Sequence, residues 1–282
     1  MSGESPRVAR AEAGYQQVAR NIRNQIAAGL LRDGQALPST RALGKEWGVS
    51  VFTINKAMEL LIEEGLVISK ERSGRVVNAP DQVYRTEMRT VAPHVFLIGG
   101  YAGSGKTELG RILARATGWP MLDKDTLTRP VVEAALELLG LSPNDRESED
   151  YLSKVRPREY EALINAMTEN VQCGSSAIVT APFIKEFKDT AWLNRMAASC
   201  ADMNAAMTVV WVYCDPATMH SYIRHRGAAR DASKIENWAD YLDVIDIDFR
   251  PPVSHKVIDN SASGVPLQAQ ARDLIAQVTD QS

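Results

Sequence analysis

Residues 94–107 read HVFLIGGYAGSGKT. The apolar run His94–Gly99 predicts a buried strand, and Lys106–Thr117 has the spacing of a helix. Between them stands Gly100-x-x-x-x-Gly105-Lys106-Thr107, the spacing of a phosphate-cradling loop set between a strand and a helix. Glycine has no Cβ, so the backbone N–H groups of such a loop can turn inward on phosphate oxygens. The helix that follows adds the positive end of its dipole.

The pattern predicts binding of a nucleoside triphosphate. Gly100, Gly103, Ser104 and Gly105 form the cradle, and Lys106 reaches the β- and γ-phosphates. The Thr107 hydroxyl is the expected ligand to Mg²⁺, a hard cation that prefers oxygen. ATP and Mg²⁺ are therefore the expected cofactors.

Moving outward toward the C-terminus, strand and helix patterns alternate. Strands are expected at Pro120–Asp123, Ala177–Ala181, Met207–Cys214 and His255–Ile258. Helices are expected over about residues 129–139 and 157–172 and at Pro266–Val278. Such alternation predicts an α/β domain with a parallel sheet covered by helices on both faces.

Residues 94–282 resemble the small-molecule kinase branch of P-loop proteins, which includes chloramphenicol phosphotransferase-like, gluconate-kinase-like and zeta-toxin-like proteins. Beyond the loop, the resemblance rests on MLDKDTL at 121–127, VVWVYCDP at 209–216, IRHRGAARD at 223–231 and VIDNS at 257–261. It implies that Asp123 and Asp125 face the γ-phosphate end of the site. A carboxylate there accepts a proton from an attacking hydroxyl or holds Mg²⁺ through water. Asp125 matches the family's acidic position better than Asp123.

The same resemblance places Arg224, Arg226 and Arg230 in a lid over the phosphates, with Arg230 the favoured catalytic residue. It also sets the loop beginning at Asp259-Asn260-Ser261 near the adenine. One departure stands out. The third strand of the domain, AIVTAPF at 177–183, ends on Thr180 where many P-loop proteins carry an aspartate for the Mg²⁺ shell. Pro182 and Phe183 either line an acceptor pocket or pack.

Toward the N-terminus the periodicity is different. Tyr15–Ala28 carries Val18, Ile22, Ile26 and Ala27 on one face, which predicts an amphipathic helix. Ser39 is placed to cap a helix Thr40–Trp47, and Ser50 a helix Val51–Glu64 with Ile54, Ala57, Met58 and Leu61 inward. Extended pieces Leu66–Ser69 and Arg75–Asn78 follow, joined by a turn at 70–74.

This segment, residues 15–78, resembles the winged helix-turn-helix of the GntR family of bacterial regulators. The matching residues are Leu37-Pro38-Ser39-x-Arg41, Gly48-Val49-Ser50-x-x-Thr53, Ala57, Glu64-Gly65-Leu66-Val67 and Gly74. The resemblance implies a double-stranded DNA operator as partner and a homodimer. The third helix would present Phe52, Thr53 and Lys56 to the major groove. The Ser39 and Ser50 caps put helix N-termini near phosphate. Arg41 meets phosphate or a guanine edge. Lys70, Arg72 and Arg75 on the wing suit phosphate and the minor groove. The family often has Arg directly after the capping Ser, and here that position is Val51.

The expected domains are therefore a winged helix-turn-helix at 1–78, a linker at 79–93 bracketed by Pro80 and Pro93, and a P-loop domain at 94–282. Composition agrees with this plan. The 282 residues carry a net charge of −3 and are 45% hydrophobic, which suits two soluble globular domains. Residues 1–80 have 11 Lys and Arg against 8 Asp and Glu, a net of +3 that is compatible with a polyanion.

No apolar run reaches the ~18 residues that a membrane span needs, and MSGESPRVARAEAG lacks a signal-peptide core. A cytoplasmic protein with no membrane partner is expected. Cys173, Cys200 and Cys214 show no metal or disulfide spacing. A DNA-binding regulator with an ATP-binding effector domain is the leading reading. The alternative is an ATP-dependent small-molecule kinase, with a small-molecule acceptor, that regulates its own pathway. A slow NTPase also fits the missing strand carboxylate.

Overall fold

A computed structural model describes residues 14–27, 31–70, 74–78, 92–226, 231 and 235–279. The chain divides into two compact units, Met1–Thr90 and Val91–Ser282.

In the first unit, helix α1 (Gly14–Ala27) packs on α3 (Val51–Glu63), with α2 (Thr40–Trp47) between turns. Their apolar stripes meet in a core of Val18, Ala19, Ile22, Leu43, Ile54, Ala57, Met58 and Leu61. The Ser39 hydroxyl accepts from the Ala42 amide (3.2 Å), and Ser50 accepts from Thr53 (3.1 Å). Each serine satisfies an orphan donor and so sets where its helix begins. Gly48 ends α2 in the left-handed region, φ 66°.

Strands β1 (Val67–Lys70) and β2 (Gly74–Val77) pair antiparallel, with Val67 opposite Val77, and a single bridge joins Ala36 to Val76. This is the expected helix, helix-turn-helix and wing.

The second unit is a five-stranded parallel sheet. Its strands are β3 (His94–Gly99), β4 (Met121–Asp123), β5 (Ala177–Thr180), β6 (Ala206–Tyr213) and β7 (His255–Asp259). The order is β4-β5-β3-β6-β7, so β3 is central and feeds its loop into the middle of the sheet edge.

Alternate residues of β3 serve opposite faces. Phe96 and Ile98 pack with Leu109 and Leu113 of α4 (Lys106–Thr117) and Leu274 of α10 (Leu267–Thr279). Val95 and Leu97 join Leu163 and Met167 of α6 (Arg156–Gln172) and Leu193 of α7 (Thr190–Asp202). Both faces are thus covered, as expected for an all-parallel sheet.

Further helices among the described residues are α5 (Lys124–Leu138), α8 (Pro216–Arg226) and α9 (Trp238–Val244), with a one-turn π-helix at Tyr151–Val155 leading into α6 and a 3₁₀ turn at Glu186–Lys188. α5 begins at Lys124, where the sequence pattern places a helix only from about residue 129. Pro130 lies inside it and masked the start. No described helix is long and apolar enough to cross a membrane. The three cysteines are free, Cys200 and Cys214 buried and Cys173 exposed.

Candidate nucleotide and DNA sites

The loop from Gly100 to Gly105 closes tightly on itself. The Ser104 amide donates to the Tyr101 carbonyl (3.2 Å), and the Gly100 amide donates to Pro182 after β5 (3.1 Å). Gly105 stands at the N-cap of α4 with φ 95° and has no side chain to cap the helix, so the first amides of α4 face outward at its positive end. A Cβ on Gly103 would lie 2.6 Å from Ile223 of α8, and the Asn260 amide fills the space beside Gly105. Asn260 Nδ2 donates to the Ser104 carbonyl (3.1 Å), which ties the loop after β7 to the cradle.

Ser104 is 1% exposed, and its Oγ has no hydrogen-bond partner among the described residues. A buried hydroxyl left unpaired costs about 1–3 kcal/mol. A phosphate oxygen in the cradle would accept its proton, so the residues present fit a phosphate group. The Lys106 ammonium donates to the Tyr101 carbonyl (2.7 Å), which holds its charge at the loop.

Thr107 donates to Asp123 Oδ2 (3.3 Å), and Thr180 donates to the same oxygen (2.8 Å). Asp123 Oδ1 accepts the Thr126 amide (3.0 Å) and so caps α5. Asp123 and Thr180 are register partners on adjacent strands. A carboxylate therefore stands beside Thr107 although β5 ends without one. Hydroxyl and carboxylate together form an oxygen set suited to Mg²⁺.

Asp125 sits in the first turn of α5 and is about one-third exposed. Its Oδ1 lies 3.0 Å from Lys124 Nζ, and Lys124 also donates to Glu159 Oε1 (2.6 Å). Glu159 further accepts from Thr128 (3.0 Å) and from Tyr151 (2.7 Å). Burial, followed by the Glu159 charge, holds the Tyr151 phenol well above its usual range. This polar cluster had no signature in the sequence.

Phe183 is fully buried and stacks on Phe187 at 5.1 Å. Of the two roles the sequence left open for Phe183, packing is the one observed. Arg224 is exposed on α8. The Arg226 side chain and Arg230 lie outside the described residues.

Asp215 caps α8 by accepting the Ala217 and Thr218 amides, and hydrogen bonds from Thr218 hold its carboxyl below the usual range. Burial, with Asp215 and Asp259 nearby, pushes the Cys214 thiol up to about 12, so it stays protonated at neutral pH.

In the first unit, Arg41, Phe52, Lys56 and Lys70 are exposed and Thr53 is half-buried. Lys56 lies over the Tyr15 ring, 4.3 Å from its centre. Arg75 points back from the wing, donating to Thr40 (3.3 Å) and Asn55 (3.1 Å). It braces the two helices, a role its sequence position did not suggest. Arg72 lies outside the described residues.

A family profile described as "AAA domain" matches residues 95–246, more than half of the chain. The chain belongs to that AAA-domain family. Residues 14–77 match the profile "Bacterial regulatory proteins, gntR family". A GntR-type DNA-binding domain is thus fused to a kinase-like P-loop domain.

Among curated relatives, the Mannosyl-D-glycerate transport/metabolism system repressor MngR of Escherichia coli K12 is 44% identical over 63 residues, 22% of this chain and 26% of that protein. The Shikimate kinase of Moorella thermoacetica is 31% identical over 107 residues, 36% of this chain and 58% of that protein. The chain therefore spans about a quarter and somewhat over half of these two relatives.

Matched solved structures include a gluconokinase from Sinorhizobium meliloti (16% identity, 68% of this chain, 95% of that one, TM-score 0.44). Another is YtrA from Sulfolobus acidocaldarius, a GntR-family transcription factor (35% identity, 26% of this chain, 74% of that one, TM-score 0.24). A P-loop domain of this fold implies nucleotide binding, and the GntR domain implies a DNA operator.

Proposed function

We propose that this protein is a DNA-binding transcriptional regulator whose P-loop unit binds ATP with Mg²⁺ as its effector. The observation that carries the nucleotide half is the buried Ser104 hydroxyl without a partner among the described residues, inside a cradle flanked by Lys106 and the Thr107–Asp123 pair. Gly100, Gly103 and Gly105 admit the phosphates, and Lys106 carries the charge that meets them. Mg²⁺, held by Thr107 and backed by Asp123, would offset phosphate charge. The resemblance to small-molecule kinases assigns Arg224, Arg226 and Arg230 to the phosphates, and of the three side chains Arg224 lies among the described residues.

The DNA half rests on the two serine-capped helix N-termini, with Ser39, Arg41, Ser50, Phe52, Thr53, Lys56, Lys70, Arg72 and Arg75 at the interface. Two copies bind symmetric half-sites as a homodimer. ATP regulates DNA binding to the extent that it favours one of two arrangements of the dimer.

Calorimetry with ATP, GTP and dATP in the presence of Mg²⁺, repeated with duplex DNA from the chain's own upstream region, tests this. ATP should bind, and DNA should change its affinity by the same factor by which ATP changes that of DNA. Equal ATP affinity with and without bound DNA overturns the effector role.

The second reading is a small-molecule kinase, and one observation favours it. Asp125 follows Asp123 on the first turn of α5, where a general base for an acceptor hydroxyl would stand. The resemblance to a shikimate kinase fits a hydroxylated small molecule as that acceptor. ADP release over a panel of hydroxylated metabolites separates the two readings.

A further inference from the structure

Phe52 is 76% exposed and Val51 46% exposed, side by side on the first turn of α3. Phe52 is the most exposed large hydrophobic side chain among the described residues of the first unit. It projects opposite the Ile54, Ala57 and Met58 stripe that α3 buries in the core.

The polar groups around it are engaged within the protein. Ser50 Oγ accepts the Thr53 amide and lies 2.8 Å from Thr53 Oγ1, so both hydroxyls serve the cap. The Asn55 carbonyl oxygen accepts from Arg75, and Lys56 leans on Tyr15. Further along the same outward face come Glu59 and Glu63, both exposed. Carboxylates there repel phosphates, so the N-terminal turn of α3 is the end that enters a DNA groove.

In the major groove, hydrogen-bonding side chains distinguish base edges, whereas hydrocarbon side chains meet one hydrocarbon target, the thymine C5-methyl group. We infer that Phe52, with Val51 beside it, reads thymine methyl groups in each operator half-site. The first turn of α3 thus specifies sequence by apolar contact. This rests on the DNA-binding half of the proposed function and adds to it the chemistry of the bases read.

The test uses the full chain. Sites are selected from a random duplex library, and each thymine of the selected duplex is then replaced singly by deoxyuridine, which removes only the methyl group. One or two thymines per half-site should be enriched. Deoxyuridine at those positions should weaken binding about fourfold, the effect of one buried methyl group.

Phe52→Ser, at an exposed site, should fold normally and bind thymine and deoxyuridine duplexes alike. Selected half-sites without a common thymine overturn the inference. So does a wild-type protein indifferent to deoxyuridine at every position, or a Phe52→Ser protein with the same methyl discrimination. Loss of all duplex binding, even at low salt, instead overturns the DNA-binding reading and this inference with it.

Discussion

Thr180 donates its hydroxyl to Asp123 across the β5–β4 register (2.8 Å), onto the same carboxylate oxygen that Thr107 contacts. The acid that many P-loop proteins carry on the strand of Thr180 is here displaced by one strand, and the threonine orients it. Two carboxylates two residues apart then have separable roles. Asp123 accepts from three threonines, whereas Asp125 lies against the Lys124 ammonium.

Asp123→Asn should therefore weaken Mg²⁺-dependent ATP binding and lower the melting temperature, because a cap and two hydroxyl contacts are altered together. Asp125→Asn should leave ATP affinity nearly unchanged. If the protein transfers phosphate, that second variant should lose roughly 10²–10⁴ in rate, the usual contribution of a general base. Calorimetry beside ADP release separates the effects. Identical behaviour of the two variants would rule out the division of labour.

Lys106→Ala should abolish measurable ATP binding and leave the unfolding free energy within about 1 kcal/mol of the wild type. The ammonium donates to the Tyr101 carbonyl of the cradle loop, and the substitution removes the charge that meets the phosphates. ATP titrated into a folded Lys106→Ala protein with unchanged heat would refute the cradle.

Arg41 and Arg75 are both candidate DNA contacts, but their surroundings differ. Arg41 is exposed at the start of α2, whereas Arg75 ties the wing to Thr40 and Asn55. Arg41→Ala should weaken DNA binding and flatten its salt dependence by about one counterion, with stability unchanged. Arg75→Ala should weaken binding and also cost about 1 kcal/mol of stability, through two lost hydrogen bonds. Gel shifts at two salt concentrations with parallel urea melts check both. An Arg75→Ala protein as stable as the wild type would mean the brace carries no weight.

The parts of the molecule that could be read in advance are those with local causes. α2 and α3 start where Ser39 and Ser50 supply cap oxygens, and α4 starts at the residue after Gly105, so short-range chemistry marks the boundaries. Strand β3 shows itself as an apolar run because both its faces are buried. α7 and α9 were missed because they bury little. α7 sinks only Leu193 and Cys200, and α9 buries none of its residues, so neither carries a stripe.

Site relationships that depend on strand register or on distant helices were also illegible. Asp123 and Thr180 are 57 residues apart, and Lys124 and Glu159 are 35 apart. Arg75 could be placed on the wing, but its inward turn follows from where α2 and α3 pack.

His94 begins β3, stacks on Trp119, lies tilted against Phe96, and has Nε2 2.9 Å from Thr208 Oγ1. Burial lowers its pKa from 6.5 to about 4. Between those values the unfolded chain binds a proton that the folded chain does not. Stability is therefore full above about pH 6.5 and falls as the pH drops toward 4. His94→Gln, which cannot titrate, should show a smaller fall in melting temperature between about pH 7.5 and about pH 5. Parallel falls for both proteins would show that the acid sensitivity lies elsewhere.

Lys124 and Glu159 form an ion pair with side chains only 6% and 2% exposed, and Lys124 also reaches Asp125 at 3.0 Å. Removing one member leaves the other charge buried, at a cost of about 3–5 kcal/mol. Glu159→Leu should therefore destabilise severely, and Lys124→Met by a similar amount. The double variant replaces both charges with hydrocarbon of comparable volume and should recover most of the loss. Stability and chemistry then part company. In the double variant Asp125 has lost its contact with the Lys124 ammonium, a positive charge that favours the carboxylate form. If Asp125 is a general base, the acidic limb of the pH–rate profile should move to higher pH in a protein that is otherwise well folded. Urea melts of the three variants and a pH profile of ADP release check both halves. A double variant no more stable than Glu159→Leu would mean the network is held by Tyr151 and Thr128 instead of by the ion pair. An unmoved acidic limb would remove Lys124 from any role in setting Asp125.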